Sequence, residues 1–340
     1  MRTGFQTLAI VGIAAAVAVY AVANIPSASN FHSNVLTHQD MEFLKYVSKY
    51  GKSYGTKEEF AFRADQFKEN LAKIMEENSK NDNTFTLAVN KFADMTRDEY
   101  KQLLSYKPVR GGRQAEVQDF AAVDAIPSEI DWRNRAAVNP VQDQRQCGSC
   151  WAFSAVGALE SRYQIKSGPL VKLSEQQLVD CDNADGNMGC NGGDMYLAFK
   201  YIAANGIETE QNYPYKGVDQ NCAYDKSKAL VKNIGQAYVA PNNAEALKTA
   251  IADGPVSVAI EADTFVFQFY SGGILNSKAC GTNLDHGVVA VGYVATDANP
   301  YYIVRNSWGA SWGVKGYINI AIKDGQGICG IQMEPVIPIF

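Results

Sequence analysis

The spacing of hydrophobic and polar positions changes along the chain and predicts helices first and strands later. Between Glu59 and Asn78 there is no glycine or proline, and apolar residues recur at steps of three and four, which is typical of an amphipathic helix. The apolar positions of this helix are Phe60, Phe67, Leu71, Ile74 and Met75. A second helix is expected at Trp151–Ile165, with Ser149 as its N-cap. Shorter helices are expected at Leu173–Cys181 and Met195–Ala204.

After Gly254-Pro255 the pattern changes to short runs of β-type residues separated by glycines, which favours strands in a small barrel or sandwich. The expected strands are Val256–Ile260, Gly287–Val294, Tyr301–Arg305 and Gly316–Ile322. A helical lobe followed by a β lobe predicts the α+β class for this part of the chain.

The first residues have a different pattern. Arg2 precedes an almost unbroken apolar run from Leu8 to Ala23, which ends in the small-x-small cleavage site Ala21-Val22-Ala23. This pattern indicates a secretory signal peptide at residues 1–23. A retained signal anchor is the alternative, although the run is shorter than the roughly 20 residues of a full span. With either segment, we expect the rest of the chain to be delivered to a lumen.

Composition and charge narrow the class of protein. Apolar residues at 46% and charged residues at 20% are typical of a globular protein rather than a disordered chain or a multi-span membrane protein. The formal charge of -5 argues against a nucleic-acid partner. A charged, cysteine-free region from about Leu36 to Leu104 is separated from the remainder by a linker that contains Pro108, Gly111 and Gly112. Such an exposed linker is a place where proteases cut.

The cysteines all lie in the C-terminal two-thirds of the chain. They are Cys147, Cys150, Cys181, Cys190, Cys222, Cys280 and Cys329. Because a lumen is oxidising and the number is odd, three disulfides and one free thiol are the simplest interpretation. A zinc site is the competing interpretation, since Cys147 and Cys150 form a C-x-x-C pair. No second such pair follows, and His286 is the only later histidine, so a tetrahedral site lacks ligands.

Cys150 has the surroundings of a reactive thiol. It lies where the Trp151–Ile165 helix is expected to begin, and the unpaired N–H groups and positive dipole end of a helix stabilise a thiolate. A thiolate nucleophile also needs a base that can later protonate the leaving amine. His32 and His38 lie upstream in the removable region, so His286 is the only imidazole left for this role. Considered alone, a single histidine is more often a buried structural residue.

Three segments carry the candidate chemistry in a fixed order along the chain. The first, Gln144-Arg145-Gln146-Cys147-Gly148-Ser149-Cys150-Trp151, resembles the active-site segment of the family of papain-like cysteine peptidases. Leu284-Asp285-His286-Gly287 resembles its histidine segment, and Asn306-Ser307-Trp308-Gly309 resembles its asparagine segment. The separations between the motifs also fit the family. The resemblance implies a papain-like two-lobed fold, with an active-site cleft between a helical lobe and a β-barrel-like lobe.

The resemblance also implies roles for individual residues. Cys150 is the expected nucleophile, and His286 is the general base and then the general acid. Asn306 is expected to orient the imidazole, with Trp308 shielding that hydrogen bond from water. Gln144 is expected to donate to the oxyanion together with the backbone N–H of Cys150. The implied disulfides are Cys147–Cys190, Cys181–Cys222 and Cys280–Cys329, which leave Cys150 free.

The Glu59–Asn78 helix resembles the interspersed motif of cathepsin L-type prosegments. The matching positions are Glu59, Arg63, Phe67, Asn70, Ile74 and Asn78, and those of a second motif are Ala88, Asn90, Phe92 and Asp94. Ala88 stands where glycine is commonest. The resemblance implies an inhibitory prosegment at residues 24–125, with a helical domain at about 40–104, that runs through the cleft in the reverse direction to a substrate. A mature peptidase is then expected at residues 126–340.

Substrate choice in the family depends mostly on the pocket for the second residue before the cut bond (P2). The expected residues of this pocket are Asp194, Met195, Ala259, Leu284, Gly287 and, at the floor, Glu334. Asp285 is a further expected substrate-binding residue. The apolar members favour a Leu, Phe or Val side chain. Glu334 either pairs with a basic side chain or points to solvent. Asp194 departs from the apolar or aromatic residue usual at its position.

The backbones of Gly192 and Gly193 are expected to bond an extended substrate, because the lack of a Cβ permits close approach. Trp312 is expected to line the leaving-group side. The resemblance therefore implies a cysteine endopeptidase without cofactor or metal, since the chain shows neither the paired histidines nor the minichain of exopeptidase members. The expected partners are peptide and protein substrates, the prosegment itself and cystatin-type inhibitors. The mature form is expected to be a monomer in a lysosome-like or vacuolar compartment, or secreted.

Two other functions stay open as alternatives. One is a thiol–imidazole enzyme of another class, such as a transferase or amidase, which the prosegment motifs oppose. The other is a non-enzymatic inhibitor or storage protein, which the intact set of Cys150, His286, Asn306 and Gln144 opposes.

Overall fold

The computed structural model describes residues 36–108, 117–118, 126–166, 168–296 and 298–340. The expected signal peptide and most of the linker lie outside these residues. The chain divides into two units, one ending at Lys49 and the other spanning Tyr50–Phe340. In the first, helix α1 (His38–Tyr50) stacks Phe43 on Tyr46, with ring centroids 6.2 Å apart. In the described part of the chain, no helix has the length and apolarity needed to cross a membrane.

The second unit begins with the described remainder of the prosegment. Helix α2 (Lys57–Asn78) starts at Thr56, whose side chain accepts a hydrogen bond from the Glu59 N–H at 3.1 Å. Strand β1 (Phe85–Leu87) and the short helix α3 (Arg97–Lys101) follow. The predicted helix is therefore present, and its N-terminus lies two residues earlier than expected.

The apolar stripe predicted on α2 is only partly correct. Phe67 and Ile74 are buried, but Met75 is 63% exposed and Phe60 is also exposed. Phe60 instead packs edge-on against the ring of Tyr54. The helix packs against the protein on one side only, so its buried face is narrow. Apolar residues at the edges of that face, such as Phe60 and Met75, therefore stay exposed.

The C-terminal region contains five α-helices among the described residues and most of the strands. The helices are α4 (Cys150–Lys166), α5 (Glu175–Cys181), α6 (Met195–Asn205), α7 (Ala244–Asp253) and α8 (Phe265–Gln268). Single 3₁₀ turns lie at Trp132–Arg135, Gly189–Asn191, Lys226–Lys228, Lys278–Cys280 and Ile328–Gly330. The strands are β2 (Val117–Gln118), β3 (Glu129–Asp131), β4 (Gly235–Val239), β5 (Val256–Ile260), β6 (Tyr270–Leu275), β7 (His286–Val294), β8 (Tyr301–Arg305), β9 (Tyr317–Ala321) and β10 (Val336–Ile339).

The described strands form one sheet in the order β1-β6-β9-β8-β7-β5-β10-β4-β2, with β3 paired to β7. The strand that begins at His286 pairs antiparallel with β5, where Ile260 is opposite His286, and with β8 on its other side. Prosegment strand β1 pairs antiparallel with β6 at one end of the sheet. The four predicted strands are present within one residue at each end, whereas β4, β6, β10 and helix α7 were not predicted.

Helix α4 is buried on all sides along most of its length, and it packs against the sheet. Every residue from Cys150 to Arg162 is buried, which its small residues permit. The Ser154 hydroxyl donates to the Val288 carbonyl at 2.6 Å, and the Ser257 hydroxyl donates to the Ser154 carbonyl at 2.9 Å. These bonds join the helix to β7 and β5, so the first turn of α4 has a fixed position relative to the start of β7.

The disulfides are those that the resemblance implies. Cys147–Cys190, Cys181–Cys222 and Cys280–Cys329 are bonded, and Cys150 is a buried free thiol. Because Cys147 is in a disulfide, the C-x-x-C pair is not a zinc site.

Candidate active site

The thiol of Cys150 lies at the first residue of α4 and is fully buried. Ser149 lies at the N-cap position, as predicted, but its side chain does not bond to the helix. The Ser149 hydroxyl bonds instead with the Tyr215 hydroxyl at 2.7 Å, and only its carbonyl bonds to the helix, accepting from the N–H groups of Ala152 and Phe153. The first N–H groups of the helix therefore have no side-chain cap competing with the thiol.

His286 and Asn306 lie on neighbouring strands and are joined by a hydrogen bond. His286 begins β7, Asn306 directly follows β8, and the His286 Nε2 to Asn306 Oδ1 distance is 2.8 Å. The Ser307 N–H also donates to Asn306 Oδ1 at 2.8 Å, which fixes the orientation of the amide. The Trp308 ring stacks on the imidazole with centroids 4.7 Å apart. Among the described residues, His286 Nδ1 has no hydrogen-bond partner.

Gln144 is buried, and both ends of its side-chain amide make hydrogen bonds. Its Oε1 accepts from the Ser307 hydroxyl at 2.7 Å, so its Nε2 must face the other way. That Nε2 donates to the Leu103 carbonyl at 2.9 Å and to the Cys147 carbonyl at 3.0 Å. A carbonyl of the prosegment therefore contacts the side-chain donor of Gln144.

Burial keeps the thiol and the imidazole neutral in this state. Burial raises the pKa of Cys150, against the opposing effect of hydrogen bonds from Gly287 and Ser105. Burial also lowers the pKa of His286 to about 4, although the bond to Asn306 opposes this shift. A thiolate–imidazolium pair is disfavoured when both groups are desolvated. The sulfur lies 3.7 Å from the Ser105 hydroxyl of the prosegment.

The prosegment crosses the site in extended conformation through Ser105, Tyr106 and Lys107. The Gly193 N–H donates to the Ser105 carbonyl at 3.1 Å, and the Lys107 N–H donates to the Gly193 carbonyl at 2.9 Å. On the other side, the Tyr106 N–H donates to the Asp285 carbonyl at 2.8 Å. A Cβ on Gly192 would overlap the Ser105 carbonyl, which explains the glycine there. The segment thus bonds through its backbone to both walls of the cleft.

The side chain of Tyr106 contacts two carboxylates of the predicted P2 pocket. Its hydroxyl donates to Glu334, and it lies 3.2 Å from Asp194 Oδ2. Glu334 is buried and so does not point to solvent. Asp194 also caps α6, because its Oδ1 accepts from the Tyr196 N–H at 2.7 Å. The other predicted side chains of this pocket, Met195 and Ala259, are buried, and Leu284 is half-buried.

Burial raises the pKa of Asp285, next to the imidazole, to about 7, although the N–H groups of Ala262 and Asp263 bond to its carboxylate. Gly287 lies close to the sulfur of Met195 and the carbonyl of Cys150, so a side chain at this position would be crowded. These two residues therefore connect the predicted pocket to the predicted catalytic group.

An aromatic cluster forms the other side of the site. Trp308 packs edge-on against Trp312, with centroids 5.1 Å apart, and the Trp312 indole N–H donates to the Gln268 carbonyl at 3.1 Å. Prosegment rings complete the cluster: Phe92 and Tyr100 lie 5.2 Å and 5.7 Å from Trp308. The ring that covers the imidazole is therefore itself covered by the prosegment.

The prosegment motif residues on α2 bind the chain that follows them. Arg63 makes two bonds to the Glu99 carboxylate, at 2.6 and 2.7 Å, and lies near Glu59. Amide groups bond to backbone: Asn70 donates to the carbonyl of Ala93, Asn78 bonds both backbone groups of Leu87, and Asn90 donates to the Gln268 carbonyl. Asp94 accepts from Lys52 and Tyr54, and the Ala88 N–H donates to the Phe269 carbonyl. The polar residues of both motifs thus order residues 85–99 and attach them to the enzyme.

Sequence reasoning missed Leu103, Ser105 and Tyr106, which contact the site, and Ser307 and Tyr215, which hold Gln144. An extended segment that bonds through its backbone carries no periodic signal. Ser307 lies inside the motif Asn306-Ser307-Trp308-Gly309, which is a local signal, whereas no feature of the sequence distinguishes Tyr215.

Two family models match the chain. The papain family cysteine protease model matches residues 126–339, more than half of the chain, and the cathepsin propeptide inhibitor domain (I29) matches residues 43–100. The chain belongs to the papain family. Its fold is papain-like with mixed α+β content, and the chain is a cysteine protease zymogen with a propeptide inhibitor domain.

Known papain-family proteins are similar over most of its length. The senescence-specific cysteine protease SAG39 of Oryza sativa subsp. japonica is 43% identical over 86% of this chain and 88% of its own. Digestive cysteine proteinase 3 of Homarus americanus is 44% identical over 86% and 92%, respectively. The solved structure of digestive procathepsin L2 from Tenebrio molitor larval midgut has a TM-score of 0.83 at 36% identity, covering 89% of this chain and all of that chain.

Proposed function

We propose that the chain is the zymogen of a cysteine endopeptidase in which Cys150 attacks peptide carbonyls and His286 transfers the protons. The position of the prosegment carries the proposal. Its Leu103 carbonyl accepts from Gln144, and its Ser105 hydroxyl lies against the Cys150 sulfur. A peptide occupies the groups that bind a substrate, which favours peptide cleavage over transferase or amidase chemistry on small molecules.

The geometry supports a definite path for the proton. Because Asn306 Oδ1 accepts from His286 Nε2–H, the neutral imidazole has its lone pair on Nδ1, which can take the thiol proton. The thiolate adds to the carbonyl carbon, and the oxyanion accepts bonds from Gln144 Nε2 and the Cys150 N–H. The imidazolium returns its proton to the leaving amine. A water molecule deprotonated by His286 then hydrolyses the thioester.

Removal of the prosegment activates this pair through solvation. When the prosegment leaves, its aromatic rings and backbone no longer bury Cys150 and His286, and water enters the site. The thiolate and the imidazolium then become less costly to form. We expect the pKa of the thiol to fall and the pKa of the imidazole to rise in the mature enzyme. Cleavage before about Ile126 would give this form, with residues 24–125 released.

The pocket around Tyr106 supports two classes of P2 side chain. Met195, Ala259 and Leu284 provide an apolar wall for Leu, Phe or Val. Asp194 and Glu334, which both contact the Tyr106 hydroxyl, would bind a basic side chain such as Arg. We further propose that the enzyme acts as a monomer in a lysosome-like, vacuolar or extracellular compartment, and that cystatin-type inhibitors bind its cleft.

To test the mechanism, the proenzyme is expressed and acidified. Its mass is followed together with its hydrolysis of fluorogenic Phe-Arg and Arg-Arg peptides. We expect activity to appear as the residues before about 126 are lost. Cys150→Ala should stay inactive even after another protease has removed its prosegment. Inactive wild-type enzyme after that removal, or activity in Cys150→Ala, would contradict the mechanism.

The P2 preference has its own test. Glu334→Gln and Asp194→Asn should each lower the ratio of Arg-Arg to Phe-Arg hydrolysis severalfold, because each removes one negative charge. Asparagine keeps the α6 cap, so Asp194→Asn separates charge from helix stability. An unchanged ratio in both variants would exclude the carboxylates as determinants of P2.

A further inference from the structure

Tyr215 joins the two segments that supply the proposed oxyanion donors. Its hydroxyl donates to the backbone carbonyl of Gln144 at 2.8 Å, and it bonds with the hydroxyl of Ser149 at 2.7 Å. Gln144 carries the side-chain donor, and Ser149 immediately precedes Cys150, whose backbone N–H is the second donor. One phenol oxygen thus contacts the backbone of the first donor and the residue before the second.

The direction of this hydrogen-bond chain follows from the number of protons. A carbonyl only accepts, so the single Tyr215 proton is directed to Gln144. The Ser149 hydroxyl then donates its proton to the Tyr215 oxygen at 2.7 Å, which is much nearer than its other acceptor, the Cys147 carbonyl at 3.5 Å. Burial raises the pKa of Tyr215 well above its ordinary value, so the phenol keeps its proton through the range in which the enzyme works. The chain therefore runs one way, from Ser149 through Tyr215 to Gln144.

Contacts of its ring and its backbone also hold Tyr215 in place. Its ring packs edge-on against Phe153, one turn along α4 from Cys150, with centroids 4.9 Å apart. Its N–H donates to the Glu210 carboxylate at 2.9 Å. The Arg145 guanidinium lies over the ring at 6.0 Å and donates to the Lys216 carbonyl. These contacts do not involve the hydroxyl, so they remain when only the hydroxyl is removed.

The Gln144 loop needs such support because its backbone is unfavourable. Arg145 has a φ of +57°, in the left-handed region that residues with a side chain rarely adopt. A loop with this conformation relaxes unless neighbouring contacts fix it. The Tyr215 hydroxyl bonds the residue directly before this position.

We propose that Tyr215 is a positioning residue for catalysis, whose hydroxyl sets the separation between the Gln144 amide and the Cys150 N–H. The inference rests on the oxyanion role of Gln144 proposed above. The hydroxyl touches no substrate atom. It acts by keeping both donors at hydrogen-bond distance from the same oxygen, and donors that are preplaced in this way stabilise the transition state more than the bound substrate.

The test compares Tyr215→Phe with Tyr213→Phe in the activated enzyme. Tyr213 is the matched control because it lies in the same loop, and its hydroxyl bonds to Asp180 at 2.9 Å and to the Ala223 N–H rather than to the donor segments. Three quantities are measured: kcat and KM for a peptide amide, the affinity of a peptide aldehyde, and the rate at which iodoacetamide alkylates Cys150. Alkylation by iodoacetamide proceeds without carbonyl addition, so it reports the thiol without the oxyanion donors.

We expect Tyr215→Phe to lower kcat about tenfold, less than the 100-fold or more seen when an oxyanion donor itself is removed. KM and the alkylation rate should stay within about twofold, and aldehyde binding should weaken by the same factor as kcat/KM. Tyr213→Phe should change kcat by less than twofold. If Tyr215→Phe does not yield folded proenzyme, Ser149→Ala removes the other bond of the chain and should give the same pattern.

Three results would overturn the proposal: an unchanged kcat in Tyr215→Phe, a parallel loss of the alkylation rate, or an equal loss of kcat in Tyr213→Phe. Failure of the proposed function is distinguishable, because in that case the activated wild-type enzyme would itself not cleave the peptide.

Discussion

Different kinds of contact stabilise the prosegment and the catalytic domain. In the described part of the prosegment, Arg63 bonds Glu99, and Asn70 and Asn78 bond backbone groups. Buried rings such as Phe92 add apolar contacts with the catalytic domain. The catalytic domain contains the completely buried start of α4 and three disulfides. The prosegment thus depends on ionisable contacts and on packing against the catalytic domain, whereas the catalytic domain also has covalent cross-links.

The largest expected effect tests the covalent side of this comparison. Replacing both Cys280 and Cys329 with serine opens a link between residues 49 apart and should lower the free energy of unfolding of the catalytic domain by about 4 kcal/mol. The measurement is urea unfolding followed by tryptophan fluorescence, in a Cys150→Ala background that prevents self-digestion. All four tryptophans lie after residue 126, so the fluorescence comes from the catalytic domain, and Trp308 also responds to the prosegment rings Phe92 and Tyr100 that pack on it.

The matching control is the prosegment of the same variant. Hydrogen exchange of residues 50–106 in low urea should be unchanged, because no disulfide reaches them. Loss of protection in the prosegment before the fluorescence change would contradict the separation between the two regions.

A smaller effect is expected where the prosegment packs on the enzyme. Phe92→Ala removes a buried ring from Trp308 and should weaken attachment by about 3 kcal/mol, which is about a hundredfold. The rate at which iodoacetamide alkylates Cys150 in the intact proenzyme measures the open fraction and should rise by that factor. Mass spectrometry at short times verifies that the chain is uncut.

Lys91→Ala is the control for that variant. Lys91 pairs with Asp143, which is 42% exposed, and exposed pairs are worth about 0–1 kcal/mol. Its alkylation rate should therefore rise less than about fivefold. Equal rates in the two variants would show that the aromatic cluster does not dominate attachment.

The smallest effect concerns acid. The bond to Arg63 lowers the pKa of Glu99 to about 2, below its usual 4.5. A carboxyl with a lowered pKa stabilises the fold above its ordinary pKa, and this contribution is lost as the pH falls from about 4.5 towards 2. Because the Glu99 side chain is 35% exposed, we expect about 1.5 kcal/mol rather than the full shift.

Hydrogen exchange of the prosegment between pH 6 and pH 2.5 measures this effect. Glu99→Gln should lower prosegment protection at pH 6 and flatten its pH dependence. Glu69→Gln is the control, because it removes only an exposed ion pair with Lys73 on α2, the helix that carries Arg63. It should change neither the protection at pH 6 nor its pH dependence. A pH profile in Glu99→Gln that equals the wild-type profile would place the acid sensitivity elsewhere.

The sequence predicted the elements whose residues share one period and one environment. The β7 strand was predictable because it is a continuous apolar run, and α2 because it has a sustained three- and four-residue period. Strand β6 contains Gly272 and Gly273, which weaken a strand signal. Strand β10 contains Pro338, yet β5 pairs only with Val336, so no partner needs the missing N–H on that side.

The candidate site was predictable to the extent that its residues stand in local motifs. Cys150, His286 and Asn306 each lie in such a motif, and the three-dimensional arrangement was inferred from the resemblance. Ser149 shows why the rest was not predictable. Its hydroxyl had a good local use as a helix cap, but a more distant partner, Tyr215, bonds with it instead. Competition between local and tertiary hydrogen bonds is decided by contacts that spacing does not encode.

Strand β1 has a consequence for solubility. It is the outermost strand of the sheet and covers β6, so loss of the prosegment turns β6 into a strand with unpaired N–H and C=O groups. Exposed strand edges invite pairing between molecules, and chains protect them by making them short or irregular. The two glycines in β6 make this new edge a poor template. Enzyme freed of its prosegment can therefore remain dispersed at concentrations where a regular edge would aggregate.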